Sequence, residues 1–355
     1  MKRILTMAAL AVSLSGLRAQ TQTEAYIPGV TPEGAVYFLP KTAIRVAVLI
    51  ETTTYTPGDF AQYADRYLRL KDVGTEPYTA HRIIGVSQTA VGVRDTSKVY
   101  AVKFNNRTSA VNVNLSNDGV LLAVNTQPVP QVIPEAFKPA DKPAAVNPRQ
   151  YMTEEILAAG SAAKMAQLTA AEIYDLRDNR TMLIQGQADF MPKDAGQMKM
   201  MLSQLEQQDQ ALTSLFTGVV VRDTVEEVFM VRTETPLQRH PLFRFSKHFG
   251  LVDADDLSGT PYYISVENLT QLPAAELDLR KKKKAESGLF YNVPGKMLST
   301  IHDGNNVASR EELPAAQFGH VELLSGELFN KHYGTRVRLN PITGGIDKLE
   351  AEQPK

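Results

Sequence analysis

The sequence predicts an α+β protein in which two β-rich regions bracket a long antiparallel helical hairpin. Three observations carry that class. Short β-branched or alternating apolar runs fill the chain before residue 126 and after residue 218, the segment between them repeats apolar residues at three- and four-residue spacing, and a stretch with six prolines at 127–148 separates the first β region from the helices. At 355 residues the chain exceeds the usual single-domain length, so two or three packed units are expected.

The chain opens like a secretory leader over residues 1–19. Lys2 and Arg3 supply the positive start, Ile4 to about Leu17 the apolar stretch, and Leu17-Arg18-Ala19 a small residue at the cleavage point. The apolar stretch is too short to span a bilayer, and the polar run from Gln20 to Glu24 follows at once. Cleavage would remove Lys2, Arg3 and Arg18 and so make a chain of net charge −1 three charges more negative, with no reason to seek nucleic acid. There is no cysteine, which excludes disulfides, thiol chemistry and a lipid on a cysteine at the mature N-terminus, where Gln20 would stand. The expected location is the periplasm or the outer cell surface.

Residues 24–126 read as a β-rich domain. Strands are expected at Ala35–Phe38, Ile44–Thr52, His81–Ala90, Val99–Phe104, Ala110–Leu115 and Val120–Val124, with Asn117-Asp118-Gly119 turning the last two into a hairpin. Thr56-Pro57-Gly58-Asp59 is a turn leading into a short helix over Phe60 to Leu68. Residues 127–150 form a proline-rich linker or extended crossing.

Residues 151–217 are the helical hairpin. Thr153 caps a first helix running towards Met182, with Leu157, Met165, Leu168, Ile173, Leu176 and Leu183 near one stripe; Gly186 to Asp194 turns the chain; Met198, Leu202, Leu205, Leu212 and Leu215 stripe a second helix from Ala195 to Phe216. Gln208 interrupts the second stripe, either reaching solvent or setting register against Asn179 or Arg180. Met182, Met191, Met198, Met200 and Met201 gather near the tip, where core filling is the expectation and an adaptable binding surface the alternative.

Residues 218–345 form the second β-rich domain. Strands are expected at Val219–Thr224, Val225–Thr233, Tyr262–Leu269, Leu289–Val293, Met297–His302, Phe318–Leu323 and Thr335–Leu339, followed by a turn at Pro341 to Gly345 and a frayed tail at 346–355. Periodicity does not say whether the two β regions share a sheet.

The chain lacks a zinc-hydrolase His-Glu-x-x-His, a G-x-S-x-G nucleophile elbow, a phosphate loop and a dinucleotide fingerprint. His320 and Glu322 share a strand face and, with Glu327 and His332, make a zinc or general-base cluster imaginable. His240 and His248 flank Pro241 to Phe245 where Arg239, Arg244 and Lys247 alternate with phenylalanine; a carboxylate or glycan contact is conceivable there, but a loop at the solvent edge with packed Phe residues is the plainer reading. Asp253, Asp255 and Asp256 mimic a calcium loop, yet Leu257 and Ser258 stand where an oxygen ligand and glycine are needed. Paired acids such as Glu226-Glu227 and Glu311-Glu312 carry no distance information. Arg280 and Lys281 to Lys284 are a concentrated basic run best read as an exposed loop. No residue is therefore assigned as catalytic, cofactor-binding or metal-binding, and no cofactor is expected.

Tyr37-Phe38-Leu39-Pro40-Lys41-Thr42, Tyr55 to Phe60, Ala158 to Ala166, Leu212 to Gly218 and Asn340-Pro341-Ile342-Thr343-Gly344 together resemble the family of exported proteins from Bacteroides and its relatives known as domain of unknown function 4831. The likeness covers nearly all the chain after the leader. It implies a Gram-negative envelope setting and one architecture over the full length, and it brings no reaction, ligand or catalytic residue.

The expected function is a non-enzymatic envelope binding or assembly module with a protein or glycan partner, the hairpin serving as spacer, docking arm or oligomer contact. The alternative is a glycan- or peptidoglycan-processing hydrolase using Asp253, Asp255 and Glu267.

Overall fold

The computed structural model describes residues 22–25, 35–103, 112–141, 146–253, 255–271, 288–329 and 334–352. The leader at 1–19, His332 and the basic run Arg280 to Lys284 lie outside the described residues.

The strands are longer than the sequence runs suggest. β1 (Gln22–Ala25) is short, but β2 (Ala35–Thr56) runs unbroken through two expected strands and β3 (Tyr78–Lys103) through two more. A register shift at Phe38/Pro40 accommodates Pro40, and a second at Leu49/Ile50 lies further along, so the strand continues past the proline instead of ending. Between β2 and β3 lies α1 (Ala64–Leu68). β4 (Val113–Leu115) and β5 (Leu121–Val124) form the expected hairpin, with Gly119 at φ +78 in its turn, a backbone conformation that favours glycine.

After the proline-rich crossing come α2 (Glu154–Leu157), α3 (Ala162–Gln185) and α4 (Ala195–Thr217). The first predicted helix is thus divided. Thr153 caps α2 as expected, but Gly160 follows it and the Ser161 hydroxyl accepts from Lys164 N–H, restarting the helix. Then follow β6 (Val219–Val231), β7 (Leu237–Ser246), β8 (Gly250–Val252), β9 (Thr260–Asn268), β10 (Gly288–His302), β11 (Val307–Ser325), β12 (Gly334–Leu339) and β13 (Ile346–Glu352).

Among the described residues three sheets result, ordered β1-β3-β2-β6, β11-β10-β9-β7-β8 and β13-β12-β5-β4. The first and third each draw strands from both β-rich stretches of sequence: β6 pairs with β2 along its length, and β12 pairs with β5. The boundaries at 24–126 and 218–345 therefore divide the sequence and not the sheets. The first two sheets enclose one core, in which Ile44, Val46 and Val48 of β2 meet Phe243, Ile264, Met297 and Ile301 of the second sheet. A second core joins Tyr37 and Leu39 to Leu121, Leu289, Phe329 and Val337.

Two expectations are corrected. Pro241 to Phe245, read as a loop, is the middle of β7, with Phe243 and Phe245 buried; register shifts around His240 and Pro241 accommodate the proline. The tail expected to fray from residue 346 is strand as far as Glu352, because the Asn340 side chain accepts from Ile342 and Thr343 N–H and turns β12 back onto β13. Its charges face solvent along a sheet edge, so they masked the strand pattern.

Candidate functional site

The third core fixes the helices. Phe60, Ala64 and Leu68 of the α1 region pack on Ile156 of α2, on Ala166, Ala170, Ile173 and Leu176 of α3, and on Leu212, Leu215 and Phe216 of α4. Gly58 is needed for this contact: a Cβ there would meet the Leu215 carbonyl oxygen at 2.2 Å, and two residues on, Phe60 N–H donates to that same carbonyl at 2.7 Å. Tyr55 adds a second tie, its hydroxyl donating to Gly74 O at 2.7 Å and Thr217 O at 3.1 Å, and Gly218 at φ +75 turns α4 into β6 beside it.

Above this base the two long helices are joined by a polar clasp. The Arg177 guanidinium donates to both Asp209 carboxylate oxygens at 3.0 to 3.2 Å and to the Thr213 hydroxyl at 3.2 Å, which in turn donates to Asp209. This clasp does the register-setting work considered for Gln208, one residue before it.

The tip is a built turn. Gly186 ends α3 in the left-handed conformation at φ +71, with its N–H on Leu183 O and Gln187 N–H on Met182 O, the Schellman pattern. Asp194 caps α4 by accepting from Gln197 N–H at 2.9 Å, while the Gln197 side chain accepts from Lys193 N–H at 3.0 Å, one residue before the cap, which ties the turn to the start of the helix.

Inside this frame lies an open groove of about 620 Å³, lined by Met182, Leu183, Phe190, Met200, Met201 and Leu205, with Asn179, Asp189, Gln204 and Gln208 at its polar positions. Phe190 is 66 % exposed and Met200 61 %. Core filling, the expectation for the tip methionines, is overturned for Met182, Met191 and Met200, which are exposed. In α3 only Leu183 is buried beyond Leu176, and in α4 nothing is buried before Ala211. The stripe continues, but its cover stops. An unbranched thioether adapts to an irregular guest surface, and a patch of such residues beside rigid caps suits docking.

The sequence-derived chemical candidates do not converge with this groove. His320 Nε2 lies 2.8 Å from Glu322 Oε1, and the Tyr291 hydroxyl donates to Glu322 Oε2 at 2.8 Å. Burial and the neighbouring carboxylate push the Tyr291 hydroxyl up to about 12, while hydrogen bonds from His320 and Tyr291 hold Glu322 below the usual carboxylate range. Glu327 instead takes the Ser325 hydroxyl oxygen on its own N–H. Asp253 and Asp256 shape a turn, Asp256 N–H donating to Asp253 O and the Asp256 carboxylate accepting from Ser258 N–H; Glu267 sits on β9 opposite Leu298. Among the described residues no three His, Asp or Glu side chains are placed to hold a metal ion, and no helix is long and apolar enough to cross a membrane. His240 and His248 are exposed, Arg239 stacks over the Tyr263 ring at 4.9 Å, and Arg244 donates to Gly259 O at 2.9 Å.

Residues 33–347 match the family model described as Domain of unknown function (DUF4831), and the chain belongs to that family. No curated protein and no solved structure matches it.

Proposed function

We propose that the protein is an exported, non-enzymatic binding module of the cell envelope, and that the hairpin tip receives an amphipathic helix of a protein partner. The open apolar groove between α3 and α4 carries this reading. Two antiparallel helices leave a trough whose natural complement is a third helix, with apolar anchors at i, i+3, i+4 and i+7 entering it and the polar positions at Asn179, Gln204 and Gln208 accepting the rim. The lysine and arginine at the start of the chain and the apolar stretch behind them support export.

A peptide array tiling the exported proteins of the source cell, probed with the purified protein, tests the docking reading. Binders should share the amphipathic helical pattern and be lost for the triple variant M182S/F190S/M200S. Absence of binders, or binders indifferent to that variant, would refute it. Export is tested separately, by fractionating cells that carry the native chain: retention of the full-length form in the cytosol would remove that part of the proposal.

A further inference from the structure

A sheet edge exposes a row of unpaired N–H and C=O groups, and proteins blunt such edges with short strands, charge, proline or bulges. Among the described residues the three sheets have six edge strands. β4 and β8 have 3 residues each; β13 carries Asp347, Lys348, Glu350 and Glu352; β11 carries Arg310, Glu311, Glu312 and Pro314 and breaks register against β10; β1 is described over Gln22–Ala25 alone.

β6 is blunted by charge alone, at Arg222, Asp223, Glu226 and Glu227. It has 13 residues, no proline, and pairs with β2 from Thr56↔Val219 to Ile44↔Val231 without a register shift. Among the described residues β2 is its one strand neighbour. Six of its apolar residues, Val219, Val220, Val221, Val225, Val228 and Met230, are each 43 to 48 % exposed, while Phe229 and Val231 pack into the core between the first two sheets. Among the described residues that is a long, regularly paired edge with no second strand beside it.

We infer that β6 pairs with β6 of a second copy of this chain, antiparallel, about a two-fold axis through Thr224, joining two four-stranded sheets into one. The charges select both the occupant and the register. In a two-fold antiparallel pair a residue meets its mirror position, on the same face. Centres at Arg222, Asp223, Glu226 or Glu227 place a charge against its own copy, and a centre at Val225 sets Asp223 against Glu227. A centre at Thr224 avoids every like-charge pair and is the one centre within β6 that sets opposite charges face to face. It sets Arg222 opposite the partner's Glu226, Val220 opposite the partner's Val228, and Val219 opposite the partner's Phe229.

Glu226 is prepared for the added cation. Its carboxylate already accepts from Arg45 at 2.8 Å and from Phe137 N–H at 2.6 Å, which fixes it on the face that Arg222 shares, and an ionised carboxylate has room for about four such bonds. The inference does not depend on the hairpin groove, which lies at the far end of α4 from β6.

A chain without cysteine allows a clean test by single introduced thiols. Cα atoms of opposed residues in an antiparallel pair lie about 4.5–5.5 Å apart, within the ~4.4–6.8 Å a disulfide spans. T224C should therefore form a disulfide-linked dimer under mild oxidation. V219C should not, because its two copies would lie ~34 Å apart along the strand. Light scattering on the unmodified protein should give twice the chain mass, and R222E, which sets a carboxylate against the partner's Glu226, should weaken the dimer at least tenfold while leaving the melting curve of the diluted monomer unchanged. A monomer at the highest soluble concentration, equal crosslinking of V219C and T224C, or an R222E dimer as tight as the parent would each overturn the pairing.

Discussion

At the base of the helical hairpin Phe216 and Ile173 are fully enclosed and Leu212 is 1 % exposed; at its tip Phe190, Met200 and Ile184 are more than 60 % exposed. The two ends belong to the same pair of helices and use the same class of side chain. They differ in what surrounds them. The base is wrapped by α1, α2 and the turn at Gly58, whereas α3, ~36 Å long at 1.5 Å per residue, carries its apolar stripe well past that wrapping. Apolar surface at the base therefore stabilises the fold, and apolar surface at the tip is left exposed. Four substitutions separate the two roles.

The largest loss is expected for Phe216→Ala, which empties a fully buried ring site packed against Phe60 at 5.5 Å between centroids. Urea unfolding should show about 3–5 kcal/mol less stability. Gly58→Ala comes next, since its Cβ cannot coexist with the Leu215 carbonyl; the helices must back away from the sheets, at about 1–3 kcal/mol, and amide exchange at the α4 C-terminus should quicken. Asp209→Ala, which releases Arg177 and Thr213 in a half-exposed clasp, should cost only about 0.5–1 kcal/mol. Smallest of all is Met200→Ser, expected to move stability by less than about 0.5 kcal/mol while still weakening peptide binding. A tip substitution that destabilised as much as Phe216→Ala would erase the distinction between the two ends.

Much of this arrangement is legible in the sequence. The spacing of Ile173, Leu176, Leu212 and Leu215 announces two striped helices, and Asn117-Asp118-Gly119 announces the hairpin between β4 and β5. What periodicity does not carry is the neighbour. It marks which side of α3 is apolar without saying that α1 covers Ile173 and that Met182 is left open. The same limit hides the union of β2 with β6 and of β5 with β12, since those partners lie far apart in the chain. The Arg177–Asp209 clasp joins positions 32 residues apart and has no local signal. His320 and Glu322 are the contrary case: two residues apart on one strand, they meet as the alternation requires. Gly58 carries a visible signal in Thr56-Pro57-Gly58-Asp59, but the signal reads as turn, and the tight approach of Leu215 appears only in three dimensions.

The claim that the tip exists to be bound is tested most directly by photo-crosslinking in living cells, with a benzophenone side chain at position 190 or, as control, at the exposed Glu206 on the face of α4 turned away from the groove. A discrete adduct from position 190, absent from position 206 and lost when Met182 and Met200 are serine, is the predicted result. No adduct from position 190, or the same adducts from both positions, would contradict it.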